Sequence, residues 1–143
     1  MNTNSSTMER GTIYTLGYSQ RKAAATLERL LRHRQTLLLD VRYQPVCSFN
    51  PEWNQTELAA RYGEQYRWER RLGNMHYWSR DRGIRLPGNS QEAVWEAAGL
   101  LLAGTSLVLL CACGDERACH RSYVAKLIQD ALPVPATARE VWA

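Results

Sequence analysis

Three of the chain's four cysteines, Cys111, Cys113 and Cys119, crowd into nine positions, and the last of them runs directly into His120-Arg121. A thiolate is a nucleophile and a metal ligand, an imidazole moves protons near neutral pH, and a guanidinium forks onto phosphate or carboxylate. The segment Leu107–Arg121, an apolar run followed by this Cys-rich loop at the mouth of a helix, is therefore the expected functional centre. A helix N-terminus offers free N–H groups and partial positive charge, so a thiol at Cys119 is pushed toward thiolate and an oxyanion is welcome there. Cys111 also suits the plainer part of a small buried hydrophobe. Cys111 to Arg117 satisfies C-x5-R, the anion cradle of thiolate phosphatases and rhodanese-type sulfurtransferases, but Asp115 and Glu116 inside it oppose an anion. Cys111, Cys113, Cys119 and His120 are zinc-competent, yet C-x-C-x5-C-H lacks the usual C-x2-C pairs and adjacent Cys119 and His120 fit one ion poorly; no metal is expected.

Asp40 and Arg42 end a second apolar run, Thr36–Val41, and with Val41 between them both charges face one side of a strand. Asp40 suits the part of a carboxylate that orients His120 or pairs with an arginine, and Arg42 and Arg121 suit anion clamps. At a third strand end, Gly17-Tyr18-Ser19 reads as a turn and helix cap, with the Ser19 hydroxyl on offer to a ligand.

These residues need a frame. Thr12–Leu16 reads as a strand, and Ser19 as the cap of a helix over about Gln20–Arg34, with Ala23, Leu27, Leu30 and Leu31 on one stripe. Thr36–Val41 reads as a strand buried on both faces. Further helices are expected over Glu57–Gln65, Gln91–Ala103 and Cys119–Ala131, with Thr56 and Ser90 as caps. Further strands are expected at Tyr66–Arg70, Leu107–Cys111 and, at an edge, Arg139–Trp142. Strands alternating with helices call for an α/β fold: a single-domain, mainly parallel sheet with helices on both faces, a Rossmann-like three-layer arrangement. Residues 1–11 read as a flexible tail and 12–143 as the domain. Ligands of such sheets bind beyond the carboxyl ends of the strands, where all three groups above fall.

The 143 residues are 45% hydrophobic and 22% charged, which fits one packed domain rather than a disordered chain. No apolar run approaches the roughly 20 residues of a membrane span, so no membrane partner is expected. Met1–Arg10 has no apolar core, so no signal peptide is read there; a cytoplasmic protein with reduced thiols is expected. The net charge is +4 with a pI near 9.0, and only Lys22 and Lys126 among 18 basic residues are lysines. An arginine-rich balance suits anionic partners. Tyr43, Phe49, Trp53, Tyr62, Tyr66, Trp68, Tyr77 and Trp78 interleave with Arg42, Arg61, Arg67, Arg70, Arg71, Arg80, Arg82 and Arg85. That is the composition of a single-strand nucleic acid groove, and also of ordinary core and loop anchors. His76 reads as a surface histidine and His33 as a helix C-terminal contact.

Five stretches, in order, carry a family likeness: Thr15-Leu16-Gly17-Tyr18-Ser19, Leu39-Asp40-Val41-Arg42, Asn50-Pro51-Glu52-Trp53-Asn54, Arg71-Leu72-Gly73, and Leu110-Cys111-Ala112 with Cys119-His120-Arg121-Ser122. Together they resemble the uncharacterised bacterial and archaeal family called domain of unknown function 488, over most of residues 12–130. The resemblance implies an α/β fold and points to Cys111, Cys119, His120 and Arg121 as the family's recurring polar residues. It implies no reaction. This chain departs from the family at Cys113, where an acidic residue is common, and at Asn74, where a second glycine is common; C-x5-R is not a family feature.

Three functions follow as expectations. The first is an enzyme acting on a phosphate- or nucleotide-like anionic substrate: Cys111 or Cys119 as nucleophile or redox thiol, His120 as acid–base, Asp40 orienting, Arg42, Arg121 and Ser19 binding, and no cofactor. The second is a nucleic-acid-binding module using the Arg/aromatic segment. The third is a metal- or redox-sensing regulatory domain.

Overall fold

The computed structural model describes residues 9–112, 120–133 and 138–140. Its five strands are β1 (Ile13–Gly17), β2 (Thr36–Asp40), β3 (Tyr66–Trp68), β4 (Ser106–Cys111) and β5 (Ala138–Glu140). Its helices are α1 (Ala23–Leu31), α2 (Gln55–Tyr62), α3 (Ser90–Leu102) and α4 (His120–Asp130). The strands form one sheet in the order β3-β2-β4-β1-β5, and every pairing is parallel. The expected α/β architecture is thus the observed one.

Two adjacent inner strands, β2 and β4, are the apolar runs TLLLD and SLVLLC, and β2 is buried at every position. A strand covered on both faces must be apolar on both, which is why these runs do not alternate. Leu37, Leu39, Leu107 and Leu109 turn to one face and meet Ala93, Val94, Ala97 and Leu101 of α3 and Val124, Ala125 and Ile128 of α4. Leu38, Val108 and Leu110 turn to the other and meet Ala23, Leu27 and Leu31 of α1 and Leu58 of α2. From β1 the chain steps across to β2 and β3 with α1 and α2 on one face. It then reverses to β4 and β5 with α3 and α4 on the other. Keeping every parallel crossover right-handed while reversing direction requires this change of face. The loops leaving β2 and β4 therefore diverge to opposite sides of the sheet and open a crevice between them.

Several boundaries differ from the sequence expectation for local reasons. Ser19 does not cap α1. The chain first makes a turn, with Gln20 N–H on the Gly17 carbonyl and Ala23 N–H on the Gln20 carbonyl, and the helix begins at Ala23 with Lys22 as its cap. Asn54 and Asn89, rather than Thr56 and Ser90, precede α2 and α3. Gly11, expected at the end of the tail, is buried and donates to the Leu101 carbonyl at 2.9 Å. A Cβ on Gly11 would lie 1.9 Å from the Thr105 carbonyl oxygen, so only glycine fits. Among the described residues no helix is long and apolar enough to cross a membrane.

Candidate functional site

Asp40, the last residue of β2, is fully buried and receives the Arg42 side chain as a two-pronged fork, Nε at 2.7 Å and Nη2 at 2.6 Å. The Arg42 backbone N–H and the Tyr66 hydroxyl donate to the same carboxylate at 3.2 and 2.6 Å. The same-side placement of residues 40 and 42 makes this pair, and β3, in register with Asp40 opposite Trp68, brings Tyr66 across. Trp68 Nε1 donates to the Arg42 carbonyl at 2.8 Å, which holds the strand exit in place. Burial opposes the charge on Arg42, but the Asp40 hydrogen bonds and charge outweigh it and leave the guanidinium more basic than usual. Burial, then the Asp40 charge, pushes the Tyr66 hydroxyl well above the ordinary tyrosine range, so it remains a donor. One donor of Arg42 is left over. Nη1 is buried and has no hydrogen-bond partner among the described residues. Such a group is costly to leave unmet and calls for an acceptor.

His120, at the first turn of α4, is 9% exposed and its Nε2 donates to the Val41 carbonyl at 2.5 Å. Burial lowers its basicity, the Val41 carbonyl opposes that, and the nearby Arg121 charge lowers it further; the ring is neutral near neutral pH. Asp40 is engaged by Arg42 and Tyr66, and its charge also acts on the ring, favouring the protonated form. Arg121 is fully buried, and its Nη1 donates to Cys111 Sγ at 3.0 Å, tying α4 to the end of β4. Cys111 is disulfide-bonded, where a reduced thiol was expected, and so offers no nucleophile in this state. Cys113, Arg117 and Cys119 lie outside the described residues. Among the described residues no group of three or more His, Cys, Asp or Glu side chains is placed to hold a metal ion.

Between the diverging loops lies a cleft of about 370 Å³. Arg42, Tyr43 and Gln44 line it from the exit of β2, Ala112 and His120 from the β4 side, and the 74–84 segment closes the third side through Asn74, His76, Tyr77 and Ile84. That segment is held by its own hydrogen bonds. Met75 N–H donates to the Arg85 carbonyl at 2.7 Å, and the Asn74 side-chain oxygen accepts from the N–H groups of His76 and Arg85. Gly73 lets this wall press on the β2 exit, since a Cβ there would stand 2.6 Å from the Tyr43 Cα. The Tyr43 and Tyr77 rings sit 6.1 Å apart, tilted by 30°, and the Arg70 guanidinium lies 4.3 Å from the centre of the Tyr43 ring. His76, read as a surface group, faces the cleft with Nδ1 3.2 Å from the Arg82 carbonyl.

Of the residues singled out by sequence, Asp40, Arg42, Cys111, His120 and Arg121 do gather at the carboxyl ends of β2 and β4. Only Arg42 and His120 of these line the cleft; Asp40, Cys111 and Arg121 support it from beneath. Ser19 is exposed on its turn and does not line it. Arg71, counted with the nucleic-acid group, is engaged instead by Glu69 at 2.7 Å and Glu96 at 2.8 Å. Sequence reasoning missed Tyr66, Asn74 and His76. In the sequence Tyr66 counts only among the interleaved aromatics, His76 as a surface histidine, and Asn74 only as a departure from the pattern of the family the motifs resemble. No family model, curated protein or solved structure matches this chain.

Proposed function

We propose that this protein is an enzyme of small phosphate-bearing, nucleotide-like substrates, bound in the strand-end cleft, and that it is kin to the uncharacterised family its motifs resemble. The observation that carries the reading is Arg42 Nη1: a buried, charged donor at the cleft with no partner among the described residues. An anion oxygen is the acceptor that suits it best, because a charge-assisted bond outweighs a neutral one. Asp40 holds the fork rigid, so little side-chain entropy is lost when the anion arrives. The Tyr43–Tyr77 pair supplies an aromatic flank on which a base can stack. His120 and His76 are the acid–base groups within reach. Calorimetric titration with nucleoside monophosphates and inorganic phosphate tests this. Arg42→Lys, which keeps charge but not the fork, is expected to weaken binding about tenfold, the worth of one charge-assisted hydrogen bond. Tyr43→Ala is expected to weaken nucleotide but not phosphate. No binding of either ligand at millimolar concentration refutes the proposal.

A nucleic-acid module is favoured by a separate observation. Tyr77 and Trp78 are 53% and 63% exposed, with the Arg82 guanidinium 5.1 Å from the Trp78 ring centre. Retention on single-stranded nucleic acid that falls steeply with salt and is lost in Trp78→Ala supports that reading over the first.

A further inference from the structure

Besides Arg42 Nη1, the cleft holds a second donor whose direction the fold fixes. Asn74 lines the wall made by the 74–84 segment, and its Oδ1 accepts from His76 N–H at 3.0 Å and from Arg85 N–H at 2.9 Å. Both partners are backbone donors, so the atom that meets them is the amide oxygen and not the nitrogen. Turning the amide over would set Nδ2 against two N–H groups and leave both unmet. Nδ2 therefore keeps its hydrogens, and among the described residues no acceptor takes them. Gln44, the other side-chain amide on the cleft, is exposed, and its side chain has no hydrogen bond among the described residues, so it turns to offer donor or acceptor alike. Asn74 can only donate.

Its place is beside the aromatic flank. Asn74 follows Gly73, which packs so close to the β2 exit that a Cβ would stand 2.6 Å from the Tyr43 Cα. The Asn74 carbonyl accepts from Tyr77 N–H at 3.0 Å. Tyr43 and Tyr77, with ring centres 6.1 Å apart, thus both adjoin the backbone that carries the Asn74 amide.

We propose that Asn74 sets the base specificity of the cleft: its amide donates to the edge of the bound base and selects bases with a keto oxygen there, uracil and guanine, over bases with an amino group, cytosine and adenine. This deepens the nucleotide reading and rests on it. A keto oxygen accepts the Nδ2 hydrogen, whereas an exocyclic amino group sets donor against donor. A site built to hydrogen-bond one group rejects the analogue that leaves its donor unmet. The wall fixes the amide before the ligand arrives, so little rotamer freedom is lost on binding.

Calorimetric titration with uridine and cytidine monophosphates, which differ only along one base edge, tests this, with guanosine and adenosine monophosphates as a second pair. The wild type is expected to bind the keto member of each pair about tenfold more tightly. Asn74→Asp is the deciding variant. One carboxylate oxygen accepts from the His76 and Arg85 N–H groups as the amide oxygen does, so the wall is kept, but the other oxygen accepts where Nδ2 donated. The added negative charge weakens every anion, and titration with inorganic phosphate measures that common loss. The ratio of uridine to cytidine affinity cancels it, and is expected to fall about tenfold, to parity or below. Equal affinity for uridine and cytidine monophosphates in the wild type overturns the inference, and so does a preference for the amino member. A ratio that Asn74→Asp leaves unchanged overturns it as well. The two readings separate cleanly: nucleotides that bind without discrimination sink the role of Asn74 alone, whereas no binding of nucleotide or phosphate at millimolar concentration sinks the cleft reading and the base specificity with it.

Discussion

Asp40→Asn should be among the most damaging single substitutions in this chain. The carboxylate is fully buried and accepts four hydrogen bonds, three of them from Arg42 and one from the Tyr66 hydroxyl. The amide that replaces it removes the charge but leaves the Arg42 guanidinium buried, with a side-chain exposure of 6%. Removing one partner of a buried pair costs about 3–5 kcal/mol, because the other charge is stranded in a medium that solvates it poorly. For a domain of this size that is a fall in Tm on the order of 15 °C. Arg42→Met should cost a similar amount by stranding the carboxylate. The double variant Asp40→Asn/Arg42→Met strands neither charge, so it should be more stable than the sum of the single losses by roughly 2 kcal/mol. Urea unfolding followed by far-UV circular dichroism measures all three. If Asp40→Asn costs less than about 1 kcal/mol, or if the two single losses simply add, then water reaches the pair and the reasoning from buried charge fails.

Other outcomes follow from neighbouring contacts. Tyr66→Phe removes one hydrogen bond to a charged acceptor and should cost about 2 kcal/mol in the same unfolding experiment. Gly73→Ala drives a methyl to within 2.6–2.9 Å of Tyr43 backbone and Cβ atoms, with no flexible chain end to yield. It should destabilise by about 1–3 kcal/mol and weaken cleft ligands more than Tyr66→Phe does, because it moves Tyr43 directly. His120 is depressed chiefly by burial, so its folded form binds a proton less readily than the unfolded chain. Its contribution to stability is therefore fully present above the ordinary histidine value of about 6.5 and is lost as pH falls below it. Its ring resonances should stay at the neutral position at pH 6.5; half-titration there would contradict the burial argument.

The fold was legible because its signals are long-wavelength ones. Two apolar runs, TLLLD and SLVLLC, read as inner strands covered on both faces, and the alternation with amphipathic helices leaves little choice of architecture. Helix starts were less legible, since Ser19, Thr56 and Ser90 are good caps by type, but the turn after Gly17 delays α1, and α2 and α3 begin after Asn54 and Asn89, neither of which makes a side-chain capping bond. The period of a strand placed Asp40 and Arg42 on one side, and that gave the ion pair. It could not give the third partner, because Tyr66 arrives from 26 residues away through the β2–β3 register. Nor could it show that His120 would meet a backbone carbonyl 79 residues upstream. Partner choice among buried polar groups is decided by tertiary packing, to which local sequence is blind.

The arginines make the same point about charge. A count of basic residues in 42–85 suggests a uniformly cationic face. Yet Arg71 is engaged by two glutamates, and Arg70 and Arg82 lie over Tyr43 and Trp78. Arg42 gives two of its side-chain nitrogens to Asp40 and keeps one. The charge of a forked guanidinium bound to a carboxylate is largely cancelled at a distance, so long-range steering of anions by Arg42 is weak. Its remaining donor acts only at contact, on an oxygen that has entered the cleft. Recognition of that kind is directional, so it should discriminate by shape and by aromatic stacking more than by net charge. Adding salt therefore separates the two readings: ligand binding in the cleft should weaken only gently between 50 and 200 mM salt, whereas a nucleic acid spread over the exposed Tyr77–Trp78 surface should lose orders of magnitude. A steep salt dependence for a nucleoside monophosphate would mean that diffuse charge, and not the single Arg42 donor, holds it.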